Sequence, residues 1–84
     1  MSQWDKLLAE ILSEDSSLRF DDLRKALIRI GYTVQQPNSG GSHYTFRKPG
    51  CTPITIPKHE PLKRVYIKLV SQAVASHLEE GNIE

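Results

Sequence analysis

The chain has 84 residues, 38% of them hydrophobic, and a formal net charge of +1; that is enough for one small domain with one core and too little for a second. Its one cysteine, Cys51, excludes an internal disulfide and points to a reducing compartment. Met1-Ser2-Gln3-Trp4-Asp5 lacks the basic start and apolar stretch of an export signal, and no apolar run approaches the roughly 20 residues that cross a bilayer, so the expectation is a soluble cytoplasmic protein with no membrane partner.

Ser2 is placed to cap a first helix, with Asp5 three residues on as the reciprocal acid. Trp4, Leu7, Leu8, Ile11 and Leu12 recur at helical spacing and give it one apolar face. Asp15-Ser16-Ser17 breaks it. A second helix is expected from about Asp21 to Ile30, with Leu23, Ala26, Leu27 and Ile30 inward. Asp21 and Asp22 suit its N-terminal dipole, Arg29 its C-terminal one, and Gly31 its left-handed exit. Three strands follow by pattern: Tyr32 to Gln36, Ser42 to Arg47 and Thr52 to Ile56. Pro37-Asn38-Ser39-Gly40-Gly41 is a loop by composition, and Lys48-Pro49-Gly50-Cys51 suits a type II turn. Pro53 argues for an edge position or a late start of the third strand. Pro57 ends that strand, and Lys58-His59-Glu60-Pro61 is a second loop. A last helix starts near Leu62 or Lys63 and runs to about Glu79, with Tyr66, Leu69, Val70, Ala73, Val74 and His77 as its stripe and Gly81 as its stop. The fold class is therefore α+β: a three-stranded antiparallel sheet with helices on one face and the other face open.

Charge is segregated along this order. Met1 to Asp22 carries two cations against six acids, net −4; Leu23 to Leu69 carries nine against one, net +8; the remainder carries three acids, net −3. A strongly cationic middle suits a polyanion; the plain alternative is scattered solubilising charge.

The stretch Gly40-Gly41-Ser42-His43-Tyr44-Thr45-Phe46-Arg47-Lys48 sits in that middle. Alternation puts Tyr44 and Phe46 on the core face of a strand, and His43, Thr45 and Arg47 on the other. An imidazole ordinarily titrates near ~6.5 and so exchanges protons at neutral pH. Cleavage of RNA by its own 2′-hydroxyl needs a base, an acid and positive charge at the phosphorane, and no metal. His43 suits the proton transfer; Arg47, Lys48, Lys58 or Lys63 suits the charge; the glycines let backbone N–H groups approach a phosphate. The plain alternative for His43 is a surface residue after a glycine-rich loop. His59 either pairs with His43 across the site or belongs to the helix start, and His77, on the inner stripe near a helix C-terminus, reads as structural. His43, Cys51 and His59 lack the spacing of metal ligands, Gly41-Ser42 lacks the strand-to-helix elbow of a serine nucleophile, and no Gly-Lys-Ser/Thr follows as in a P-loop.

The run Gly41-Ser42-His43-Tyr44-Thr45-Phe46, the Pro49-Gly50 turn, the strand Ile54-Thr55-Ile56-Pro57, the later His59 and the Leu62-Lys63 helix start resemble the HicA-type toxins, the mRNA interferases of toxin–antitoxin pairs. The helix ending at Gly31-Tyr32 resembles their first helix, so the likeness covers roughly Phe20 to Val74. It implies a single domain over residues 1–84. Residues 18–80 would form an α-β-β-β-α core like that of double-stranded-RNA-binding domains, and residues 1–17 an additional helix and linker. It implies a metal-independent, cofactor-free endoribonuclease with His43 catalytic and an mRNA substrate. Gly41, Ser42, Arg47, Lys48, Lys58, His59, Lys63 and Arg64 would bind RNA, and a HicB-like antitoxin would cover the site. Family members often place a basic residue just before Gly-Ser-His; here Ser39-Gly40 precede Gly41, which shifts the phosphate-stabilising role toward Arg47 or Lys48. The first helix lies outside the family pattern, and packing within the same chain is the expectation for its apolar stripe. A non-catalytic RNA-binding module of the same fold and a domain for an acidic protein partner are the competing readings.

Overall fold

The structure, a computed structural model, describes residues 2–36, 41–59 and 61–80. The elements are α1 (Gln3–Leu12), α2 (Phe20–Arg29), β1 (Thr33–Gln35), β2 (His43–Arg47), β3 (Ile54–Pro57) and α3 (Arg64–Glu79). The three strands form one antiparallel sheet in the order β1-β2-β3, so the chain is an α+β fold with an extra helix ahead of its α-β-β-β-α order. The loop expected over Pro37–Gly40, Glu60 of the second loop and the stop at Gly81 lie outside the described residues.

Local chemistry explains most boundaries. Ser2 Oγ accepts the Asp5 N–H at 3.1 Å and starts α1. After Leu12 the chain turns through Glu14, whose φ of 56° is left-handed without glycine's freedom. Ser17 then donates its backbone N–H and its hydroxyl to Asp15 Oδ1, both at 2.8 Å. Those bonds, the backbone one first, hold the Asp15 carboxyl below its ordinary value. At the start of α2 the Arg19 N–H donates to Asp22 Oδ2 at 2.9 Å. Gly31, at φ 106°, closes α2, and a side chain there would meet Lys48 Cε at 3.3 Å. Gly50 has φ 80°, and the Cys51 N–H returns to the Lys48 carbonyl at 3.0 Å, as the Pro-Gly turn requires.

All three strands are shorter than the sequence pattern suggests, β2 by Ser42 alone. Tyr32 lies outside β1, its N–H bonded to the Leu27 carbonyl at 2.9 Å as part of the helix exit. β3 begins at Ile54 because Pro53, with no N–H, precedes it, and Pro57 is its last residue. The Lys58 N–H bonds the Ser42 carbonyl at 2.7 Å. With the β2–β3 register, that pairing turns residues 54, 56 and 58 toward β2 and residues 53, 55 and 57 outward. Two of the three outward positions are prolines, so Thr55 supplies the one outward N–H among them.

The core lies between the sheet and the helices. Phe46, Ile56, Leu23, Leu27, Ile67, Val70 and Val74 are almost fully enclosed. Phe20 stacks at an angle on Tyr44 and Phe46, with ring centroids 5.0 and 6.2 Å away. α1 packs on α3 and α2 within the same chain: Ile11 is fully buried and Trp4, Leu7 and Leu8 rest against the core, with the Arg29 guanidinium 5.2 Å from the Trp4 ring centre. Leu12, at the margin of the stripe, is 42% exposed. The inner face of α3 also departs from the expected stripe. Ile67 and Ser71 are buried, whereas Leu69 is 39% exposed and Tyr66 only half-buried. α3 is packed by α1 as well as by α2 and β3, so its buried arc is wider than one stripe and is turned toward Ile67. Among the described residues no helix is long and apolar enough to cross a membrane.

Candidate nucleic-acid interface

The sheet has two unlike faces. Val34, Tyr44, Phe46, Ile54 and Ile56 meet the helices. Thr33, Gln35, His43, Thr45, Arg47 and Thr55 fall on the other side by alternation, and none of them is buried. Five of these six are tied loosely to one another, His43 being the exception. Thr45 and Thr55 hydroxyls lie 3.1 Å apart, Thr33 Oγ1 donates to the Arg47 carbonyl at 3.4 Å, and Arg47 Nε donates to Gln35 Oε1 at 3.4 Å.

His43 opens β2 on this face and is exposed. The ends of the sheet are equally distinct. Phe20, at the start of α2, stacks on Tyr44, whereas Gly31, just past its end, meets Lys48. The last turn of α3 also reaches Lys48 through His77. α2 and α3 therefore run parallel, and both begin at the end of the sheet where His43 stands.

That end gathers most of the expected contact residues. Gly41 and Ser42 are exposed and lead into β2. Lys58 is exposed, and its ammonium lies 5.9 and 6.0 Å from the Phe20 and Tyr44 ring centres, on the helix side of the sheet at its His43 end. Exposed His59 lines a hollow with Lys58, Arg19 and Asp21. Among the described residues no hydrogen bond joins His59 to His43. Lys63 occupies the cap position of α3 and Arg64 its first turn; both are exposed, and that turn holds no acidic residue. Arg64 Nε lies 3.8 Å from Glu14 Oε1, with 77% of the arginine side chain exposed, so the pairing leaves most of the guanidinium in water.

The two cations nearest His43 in sequence are elsewhere. Arg47 shares its face but stands four strand residues away, about 13 Å. Lys48 turns to the opposite face, half-buried, with its ammonium 3.1 Å from His77 Nδ1 and 5.8 Å from the Tyr32 ring centre. Lys48 is thus turned away from His43, while Arg47 stands at the other end of the same strand face. Sequence reasoning instead passed over Arg19 and Arg24, which border the hollows around Lys58. Arg19 belongs by chain order to the acidic N-terminal segment, and only the parallel placement of α2 brings it to the His43 end. His77, buried at the far end of α3, matches its structural reading. Among the described residues no three His, Cys, Asp or Glu side chains converge on a point that would hold a metal ion.

No protein-family model matches the chain, and neither the curated proteins nor the solved structures contain a match to it.

Proposed function

We propose that the chain is an endoribonuclease of the HicA type, the toxin of a toxin–antitoxin pair, acting on mRNA in the cytoplasm and held inactive by a HicB-like antitoxin. One observation carries this reading. His43 stands exposed on the uncovered face of the sheet, at the end where Lys58, His59, Arg19, Lys63 and Arg64 gather.

The chemistry follows from that placement. An RNA strand lies across the cationic end, with phosphates drawn to Lys58, Lys63 and Arg64. His43 takes the proton of a ribose 2′-hydroxyl as its oxygen attacks the adjacent phosphorus. The bond from phosphorus to the 5′-oxygen of the next nucleotide breaks, and that oxygen receives a proton from solvent or from His59. The products are a 2′,3′-cyclic phosphate and a free 5′-hydroxyl. Lys58 and the backbone N–H groups at Gly41 and Ser42 stabilise the charge that grows on the phosphorane oxygens. The substrate supplies its own nucleophile, so the scheme needs no metal.

The test compares parent and His43→Ala with RNA in EDTA. Cleavage by the parent alone, ending in a cyclic phosphate, is expected; equal cleavage by both, or none by the parent, overturns the reading. A parent that binds RNA in a salt-dependent way without cutting it is a binding module of the same fold. Expression of the chain is expected to arrest growth, with rescue by the adjacent open reading frame.

A further inference from the structure

A second concavity lies on the side of the sheet away from His43. One wall is the β2–β3 turn and the outer strand, including Cys51, Pro53 and Ile54; the other is an unbroken helical stripe of α3 through Leu69, Ala73 and His77. Its volume is about 370 Å³, the size of a small-molecule site. The walls are mainly apolar, and Leu69, 39% exposed, is turned toward this space rather than into the core.

The floor is polar and cationic. Lys48 donates to His77 Nδ1 at 3.1 Å, which orients the ammonium and leaves it further N–H groups. Its charge lies over the Tyr32 ring. Among the described residues no carboxylate stands within ion-pair distance of Lys48 Nζ. A half-buried ammonium whose neighbours are an imidazole and an aromatic face lacks the full negative charge that such a group ordinarily acquires. Tyr32 lines the same floor, with Cys51 beside it on the wall. Burial first, then Cys51 and Glu80, pushes the Tyr32 phenol up from its ordinary value, so it stays a hydroxyl donor through neutral and mildly alkaline pH. Glu80 stands on the wall of the groove and disfavours an anion placed near it.

Strand addition does not suit this groove. The outer strand offers Pro53 and Pro57 where an added strand needs N–H donors, leaving Thr55 alone. A compact occupant with one negative charge and an apolar body fits better.

We propose that this groove is a binding site for a small amphipathic carboxylate, its charge on Lys48 and its hydrocarbon body against Ile54, Leu69 and Ala73. The site is independent of the ribonuclease reading, because it shares no residue with the end of the sheet that carries His43.

The experiment follows amide NMR spectra of the full chain titrated with octanoate and, separately, with 1-octanol, which has the same body and no charge. Saturable shifts with octanoate at Cys51, Ile54 and Ala73, and none at His43 to Thr45, are expected, with 1-octanol at least tenfold weaker. Lys48→Met should weaken octanoate binding about tenfold or more, as loss of a charge-assisted bond does. Glu80→Gln should tighten it several-fold. Ser76→Leu, a surface change on the groove wall, should block it with the fold intact, which guards against a misfolded Lys48 variant. Absence of saturable octanoate shifts, equal affinity for octanol, or octanoate binding unchanged in both Lys48→Met and Ser76→Leu overturns the proposal; the first of these would leave the groove to a protein segment.

Discussion

The two faces of the sheet are made of one set of strands and answer to different demands. On the helix side each side chain is chosen by volume: Phe46 and Ile56 are fully enclosed, and Phe20 closes over Tyr44 and Phe46. On the open side the strands carry threonines, Gln35, His43 and Arg47, joined by few and long hydrogen bonds. One residue of alternation separates the two. Tyr44 between His43 and Thr45 is therefore a mechanical part, while its neighbours are free for chemistry. Substitutions on the first face should move stability and leave function to follow; those on the second should move function alone.

Four experiments probe that division, the largest effect first. Phe46→Ala should cost about 3–5 kcal/mol in urea unfolding, enough to unfold much of so small a domain; a loss under about 1 kcal/mol would show that the helix side is not a packed core. His43→Ala should lower RNA cleavage by roughly 10²-fold or more while shifting the unfolding free energy by less than about 0.5 kcal/mol. A matching fall in stability would move His43 to the structural side of the division. Lys58→Gln should weaken RNA binding and reduce the magnitude of its salt slope by about 1, whereas Lys48→Gln, on the covered face, should leave that slope unchanged. Binding isotherms at several salt concentrations separate the two. Glu14→Gly should raise stability by up to about 1 kcal/mol by relieving a left-handed backbone, with the weak Arg64 pairing and glycine's larger entropy loss on folding as the offsetting terms.

Much of this division is written in the sequence. Period-two alternation from His43 to Arg47 and helical spacing from Leu23 to Ile30 each name a buried face, and the structure buries Phe46, Leu23, Ala26, Leu27 and Ile30. Gly31 and Pro49-Gly50 mark turns for steric reasons that hold in any context, and both positions have the backbone expected of them. The pattern loses accuracy where a third body intervenes. α3 meets α1 as well as α2 and β3, and no periodicity within α3 reports where α1 will lie; hence Ile67, outside the expected stripe, is buried, and Leu69, within it, is partly exposed. The site shows the same limit. That His43 is exposed follows from alternation, but alternation also sends Lys48 to the far side, a step hidden by its nearness to Arg47 in the chain. Arg19 reaches the site only because two helices run parallel, which is information about the assembled fold and not about any one segment.

The first turn of α3 holds a basic residue and no acid, and its cap is a lysine, while Glu79 and Glu80 stand at its end. This polarity runs against the helix's own electric axis, for peptide units favour acids at the beginning and bases at the finish, by about 0.3–1 kcal/mol each. The helix thus forgoes stability to present a doubly positive tip, its own partial charge added to that of Lys63 and Arg64. On the proposed ribonuclease reading, a protein of net charge +1 would meet a polyanion as an oriented object, tip first. Stabilising this helix by reversing its charges would then blunt that approach, and on that reading thermal robustness and capture of the strand would be set in opposition along a single element.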